Sequence, residues 1–348
     1  MFQYHDSEPE IFELDTRFQG LAAQGYTCFN NDKTVAPTPA ILHRAALKGD
    51  VQLLKRALDA GVSVDCSDND ATSALILACR YNQYDCAKML LEHGANPSAQ
   101  RMDGSSALCY AAYGGYLPIV KLLIKYGADI QACGMDGATP FLLACQLNYL
   151  DIVQELLATD PQHEKQMISN STPIYVAAQN AHASIVQFLI SRGADINIQR
   201  RFPRKPGEDV SITNGSTPLF VACQNGHAPL VKKLVQWGAD VNLARDDGCS
   251  PLLKAAHKGF TNIVEFLLSK GAYNGLQKNG EAPLHIAAYY GHMLVLKSLV
   301  QHGADVNLRD KHGVTAYAKA QEGGHEIAVR YLARVVSERN LAANPTFS

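Results

Sequence analysis

Alanine returns along this chain at a nearly constant interval. Ala45, Ala78, Ala111, Ala144, Ala177, Ala222, Ala255, Ala287 and Ala320 follow one another at 33 residues, except for steps of 45 to Ala222 and 32 to Ala287. Self-similarity at a period of this size marks a stacked repeat, in which no unit can bury its apolar face without its neighbours. A chain of 348 residues could hold two ordinary domains, but a repeat array grows by stacking and has no such division.

The stretch Asn214–Asn242, NGSTPLFVACQNGHAPLVKKLVQWGADVN, shows what is being repeated. It opens on an Asn-Gly turn. Thr217 before Pro218 is the pairing expected of a helix N-cap and first helical position, because the hydroxyl takes an orphan N–H and proline lacks the donor that position cannot use. A short apolar helix stops at Asn225-Gly226. A second helix carries Leu230, Val231, Leu234 and Val235 on one face and ends at Gly238, where a left-handed residue costs least. Neither helix is long enough to stand alone.

The landmarks TPLFVAC (217–223), APLHIAA (282–288), GADIN (193–197) and GADVN (238–242 and 303–307) resemble the ankyrin repeat family over residues 38–335. The resemblance implies an all-α repeat solenoid, an ankyrin repeat array of about nine helix-turn-helix units joined by protruding β-hairpin loops. Residues 1–37 lie outside the period and read as a flexible arm or a cap over the first repeat, whose apolar end needs cover. In the fourth repeat Ala158-Thr159-Asp160-Pro161 replaces Gly-Ala-Asp, and Pro161 is expected to stop the helix early while the stack continues. A loop insertion occupies 200–213, RRFPRKPGEDVSIT; it reads either as a binding finger or as a tolerated surface insertion. Its Arg200, Arg201, Arg204 and Lys205 look like a diluted nuclear-localisation patch. The ninth repeat ends near 335 with a polar outer face, and 336–348 is a tail whose end is expected to fray.

Charged residues make up 18% of the chain, its net charge is −2, and 47% is apolar. That composition supplies a continuous core and argues against a polyanionic partner, so no nucleic acid is expected. No apolar run reaches the roughly 18 residues of a membrane span, and the acidic, Pro-broken start MFQYHDSEPEIFELD does not read as a signal peptide. Nine cysteines without a C-x-x-C pair, with Cys79, Cys145 and Cys223 in the second Ala slot, read as structural thiols in a reducing compartment. The cytoplasm is therefore expected, the nucleus also being open to a chain this small. The sequons at Asn170 and Asn214 then read as hairpin residues.

No phosphate loop, dinucleotide fingerprint or nucleophile elbow is present, and His325-Glu326 lacks the second histidine of a zinc-protease helix. His43 and His285 fill the family's Leu-His slot; His182, His227, His292 and His325 fill its Gly-His slot, and both slots are structural in the family. His93 and His302 suit the end of a second helix. Neither metal nor cofactor is expected, and the chain reads as non-enzymatic.

In ankyrin arrays partners typically lie along the concave face of the first helices and at the hairpin tips, and the two residues after Ala-Ala are expected to be the most exposed there. Those slots hold Arg80 and Tyr81, Tyr113, Gln146, Gln179, Gln224 and Asn225, His257 and Lys258, and Tyr289 and Tyr290; the tips add Met102, Met135, Asp246 and Lys278. Tyrosine and arginine often dominate interface energies, and the amides between them suit an extended, mainly polar peptide. The competing reading is that these side chains only cover the helix ends and bond neighbouring repeats. The resemblance also makes Asn197, Asn242 and Asn307 candidates for asparagine hydroxylation. The function expected is a monomeric scaffold that binds a partner protein or extended peptide along its concave groove. The alternatives are an adaptor delivering a substrate to an enzyme such as a ubiquitin ligase, and a structural spacer without a tight ligand.

Overall fold

The computed structural model describes residues 38–134, 137–160, 172–200, 215–278 and 280–343. The arm at 1–37, Met135, Pro161, the sequon asparagines, residues 201–213 of the insertion and residues 344–348 lie outside them, so the expectations placed there are not addressed. The chain forms two compact units, divided between residues 169 and 170.

The first unit holds four helix pairs: α1 (Pro39–Lys48) and α2 (Val51–Asp59), α3 (Ala74–Arg80) and α4 (Tyr84–Glu92), α5 (Ala107–Tyr113) and α6 (Leu117–Lys125), α7 (Pro140–Gln146) and α8 (Leu150–Thr159). The second holds five: α9 (Pro173–Gln179) and α10 (Ala183–Ser191), α11 (Pro218–Gln224) and α12 (Ala228–Gln236), α13 (Pro251–Lys258) and α14 (Thr261–Ser269), α15 (Pro283–Tyr289) and α16 (Met293–Gln301), α17 (Ala316–Glu322) and α18 (Glu326–Ala343). The two-helix repeat expected from the period of 33 is thus present in every described repeat.

Local chemistry starts the first helices. Hydroxyls of Ser73, Ser106, Thr139, Thr217, Ser250 and Thr315 each accept from the backbone N–H three residues on, at 3.0–3.4 Å. Such a cap is worth about 1 kcal/mol. Proline follows the cap residue in α7, α9, α11, α13 and α15, where its missing N–H costs nothing.

Packing does the rest. The paired small residues Ala45-Ala46, Ala111-Ala112, Ala177-Ala178, Ala255-Ala256 and Ala287-Ala288 are wholly buried, as are Cys79, Cys145 and Cys223 in the second slot. In most adjacent repeats their size lets the first helices lie closer together than the second helices do, so the first-helix row is the more tightly packed side. Second helices contribute the larger apolar residues, such as Leu90, Ile119, Leu123, Val231 and Leu267, all buried.

Burial also pushes the thiols of Cys79, Cys145 and Cys223 far above their ordinary range, as expected of structural cysteines. Among the described residues no cysteine is paired in a disulfide.

The hairpins differ from expectation. Among the described residues they contain no strand, only isolated bridges at Ser67–Ser73, Gln100–Ser106 and Arg309–Thr315. Each is a tight turn closed by one rung: Asp68 N–H donates to the Thr72 carbonyl, and Arg101, Arg245 and Asp310 repeat the bond at 2.9–3.0 Å. The last turn position requires positive φ. Gly104, Gly248 and Gly313 supply it, while Ala71 is held at φ 60 in the same slot.

Two helix ends differ from expectation. The helix before Pro161 is not shortened: α8 has ten residues where α10, α12, α14 and α16 have nine. A proline acts on the residue before it, and Asp160 is extended at φ −137, ψ 104, so the helix ends just ahead of that residue. The last helix, drawn as ending at 335, runs on to Ala343, and Arg339 ties it to the carbonyls of Val300 and Ala304. The array read over 38–335 is described as two compact units, one to each side of residues 169 and 170.

Candidate functional site

The two slots after Ala-Ala are the last residue of the first helix and its C-cap in most repeats, and the last two helical residues in α1 and α13, which Gly49 and Gly259 cap. Their backbone is used in the same way along both units. The Leu47 carbonyl accepts from Gln83 Nε2 at 3.3 Å, Gln179 from His227 Nε2 at 2.8 Å, and His257 from His292 Nε2 at 3.0 Å. Gln83, His227 and His292, each opening a second helix, thus satisfy the exposed end of the first helix in the preceding repeat, which explains why histidine suits the Gly-His slot. In the Leu-His slot, His43 and His285 reach the carbonyls of Cys66 and Leu308 at 2.9 and 3.0 Å. His93 and His302 each bond the carbonyl four residues back, at 2.8 Å, at the end of a second helix.

The side chains in these slots are not uniformly the most exposed. Asn225 and Tyr290 are exposed, whereas Arg80, Tyr81, Tyr113, Gln146, Gln179, Gln224, His257, Lys258 and Tyr289 are half-buried. The C-caps Asn225 and Tyr290 stand clear, whereas Tyr81, also a C-cap, does not. Tyr113 packs on Cys109, Ala138 and Leu143 and so belongs partly to the core. Of the tips, Met102 (68% exposed), Asp246 and Lys278 are exposed.

In the first unit the slots gather around one cation. The Arg80 guanidinium lies 5.6 Å from the Tyr81 ring centre and 5.4 Å from that of Tyr110. In the second unit an amide pair adjoins an aromatic cluster. Asn225 Nδ2 donates to the Gln179 carbonyl at 3.0 Å. The Tyr290 ring makes edge contacts with His257 (4.6 Å) and Tyr289 (5.1 Å) and stacks beside His292 at 6.1 Å. Lys319 Nζ stands 5.9 Å from the Tyr289 ring centre.

Lys319 also leads to a buried group. Its Nζ is 3.8 Å from an Asp310 carboxylate whose side chain is 2% exposed. Asp310 Oδ1 accepts from the N–H groups of His312 and Val314, both at 2.8 Å. Burial alone would raise this carboxyl's pKa, but the two N–H bonds and Lys319 outweigh it and hold it low. Burial holds His285 below its ordinary value, despite the bond to Leu308 and the nearby Asp310. A neutral folded-state histidine contributes stability that is full above pH 6.5, its unfolded value, and is lost as pH falls toward the lower folded value. The depressed Asp310 contributes above 3.8 and loses its share as pH falls through its lower folded value. The urea midpoint of the wild type should therefore drop from about pH 7 to about pH 5 more steeply than that of His285→Gln. Parallel slopes would show that His285 is not held neutral.

Several arginines that composition would place on the surface are covered. Arg101, Arg200 and Arg245 close their hairpin turns with guanidiniums laid inward. Arg200 and Arg245 lie 5.2 Å from the ring centres of Tyr175 and Phe220, and Arg101 Nη1 donates to the Tyr110 hydroxyl at 3.0 Å. Arg200 is 4% exposed, which overturns its place in a basic surface patch. A weakly hydrated planar cation can lie flat on an aromatic face, and residue type alone did not signal this.

The hydroxylation candidates differ among themselves. Asn197 Oδ1 accepts from the Asp240 N–H at 2.9 Å and Asn242 Oδ1 from that of Tyr273 at 2.8 Å, each tying one turn to the next. Exposed Asn307 makes no such side-chain tie among the described residues. Among the described residues, no group of three or more His, Cys, Asp or Glu could hold a metal, and no helix is long and apolar enough to cross a membrane.

A family model described as "Ankyrin repeats (3 copies)" matches residues 42–133, 131–200 and 204–277, and one described as "Ankyrin repeat" matches 279–311. The chain is 36% identical over 89 residues to an ankyrin repeat-containing protein of Schizosaccharomyces pombe, covering 25% of this chain and 43% of that one. It is 36% identical over 84 residues to alpha-latrocrustotoxin-Lt1a of Latrodectus tredecimguttatus, covering 24% and 6%. Identity to the human transient receptor potential cation channel subfamily A member 1 is 34% over 91 residues, covering 25% and 8%. The chain thus spans less than half the length of these curated relatives.

Proposed function

The chain belongs to the ankyrin repeat family, whose repeats generally serve as protein-interaction modules, and from that premise we propose that it is a non-enzymatic scaffold gripping a partner protein or extended peptide along its first-helix faces. One observation carries the reading. At the end of three first helices the backbone has one role, the carbonyls of Leu47, Gln179 and His257 being satisfied by the next repeat. The side chains in these slots include Arg, Tyr, Gln, Asn, His and Lys, types that differ from one repeat to the next. A spacer needs the backbone bond but has no use for that variety. Tyr290 and Tyr81 supply aromatic area with a polar tip, and Gln179, Gln224 and Asn225 can meet a peptide backbone.

Proximity labelling in the native cell tests this, comparing the wild type with a chain carrying Tyr81→Ala, Tyr289→Ala and Tyr290→Ala. Tyr113 is left in place because it packs on the core. Loss of a defined set of labelled proteins is expected; retention of all of them would leave a spacer. Removing residues 1–37 distinguishes the adaptor, which should lose one partner and keep another.

A further inference from the structure

We infer that residues 11–21 dock as a helix on the N-terminal end of the first unit, their stripe of Ile11, Leu14, Phe18 and Leu21 covering Ile41, Leu53 and Leu58. The inference goes beyond the docking reading above and does not depend on it.

The end of the first unit that no repeat precedes is apolar. Ile41 on α1, Leu53 and Leu58 on α2, and Val62 just after it are half-buried. One repeat on, at the same register, Ala74, Cys86, Leu91 and Ala95 are at most 4% exposed. Cys86 shows which way this register faces, since its Sγ lies 3.9 Å from the Ala45 carbonyl oxygen of the preceding repeat. Leu53 is its counterpart in α2, and there the same side has no predecessor to meet.

The last helix pair meets the same problem with polar groups. Exposed Gln321 fills the second Ala slot of α17. On α18 the pairs Arg330–Glu326 and Arg334–Glu338, at 2.9 and 3.5 Å, stand on its exposed side. A terminal repeat stays soluble through a polar outer face of this kind. The first pair presents isoleucine, leucine and valine instead, and so calls for a cover.

The chain itself supplies one. Residues 1–37 lie outside the described residues, and their sequence sets Ile11, Leu14, Phe18 and Leu21 at spacings of three, four and three, one face of a helix. Pro9 with Glu8, Glu10 and Glu13 suits the start of such a helix. Its length, about 16 Å, matches that of the ten-residue α1. The residues from 22 to 37 reach about 50 Å when extended, so they can return the segment along either helix. Tethering also holds the segment at an effective concentration of about millimolar, whereas a second copy meets this end only at its bulk concentration. Charge is not the driver. Arg44, Lys48, Lys55 and Arg56 stand here among Asp50, Asp59 and the turn aspartates Asp65, Asp68 and Asp70, so apolar contact carries the docking.

The test uses the full chain, with zero-length carbodiimide cross-linking and hydrogen exchange. In a mixture of isotopically heavy and light chains, Glu10, Glu13 or Asp15 should be joined to Lys48 or Lys55 within one chain. Amides of α1 and α2 should exchange about tenfold faster when Ile11→Asp, Leu14→Asp and Phe18→Asp are combined. Those of α13 and α14 should keep their rate, which shows that the variant is folded. Thr16→Asp, opposite the stripe, should change neither readout. Links found only between heavy and light chains would make the occupant a second copy and overturn the inference. So would unchanged exchange at α1 and α2 in the triple variant, or an equal acceleration throughout the chain.

Discussion

Phe220→Ala destabilises the second unit by about 3–5 kcal/mol, the range for removing a large aromatic side chain from a packed core. The ring is wholly buried in α11, and it also supports the Arg245 guanidinium 5.2 Å above its centre. Truncation leaves a cavity on one side and strips a covered cation of its aromatic floor on the other. Arg245 is 8% exposed and lies 2.9 Å from the Asp247 carboxylate. The turn closed by Arg245 should then loosen together with the helix end at Gln224. Phe220→Leu, which refills most of the space, should cost no more than about 1–2 kcal/mol. Urea denaturation checks both: with a slope of about 2 kcal/mol per molar, the alanine midpoint falls by more than about 1 M. A loss below about 1 kcal/mol would show that ring and cation do not hold the turn.

That ring and that cation also mark where the sequence stops being readable. The helix pairs follow from it because each signal is local: a capping hydroxyl at Thr217, proline behind it, apolar residues at helical spacing, and a period that places every unit beside its like. The row of slots was readable for the same reason, since register is carried by the period. Burial of Arg200 and Arg245 was not, because it depends on an aromatic ring 25 positions earlier that comes beneath them only once the repeat is folded. Tyr113 misleads in the same way: its slot says surface, while its neighbours Ala138 and Leu143 in the next repeat are small or apolar enough to receive the ring.

On the docking reading, Tyr290→Ala is expected to lower affinity for the partner about 100-fold, with folding intact. Its ring is already ordered before any partner arrives, edge-on to His257 and Tyr289 and stacked beside His292. An ordered aromatic gives up little rotamer freedom on binding, so most of the area it buries appears as affinity. It is 37% exposed at the C-cap of α15, so its contacts with the unit are incomplete and a partner can cover the remainder. Tyrosines so placed are typical hot spots, worth roughly 2–3 kcal/mol on truncation, which is the factor expected here. The cost to folding should be smaller, under about 1.5 kcal/mol, because no sealed cavity forms at a solvent-facing position. Tyr290→Phe separates the two ends of the side chain: if stacking carries the effect, it binds within about threefold of wild type, and if the hydroxyl does, it behaves like alanine. Ile327→Ala, at 71% exposed on α18 and away from the row, is the control that leaves affinity unchanged. Titration calorimetry against the partner recovered by labelling decides among these, and a Tyr290→Ala loss of less than about threefold would remove the aromatic pair from the interface.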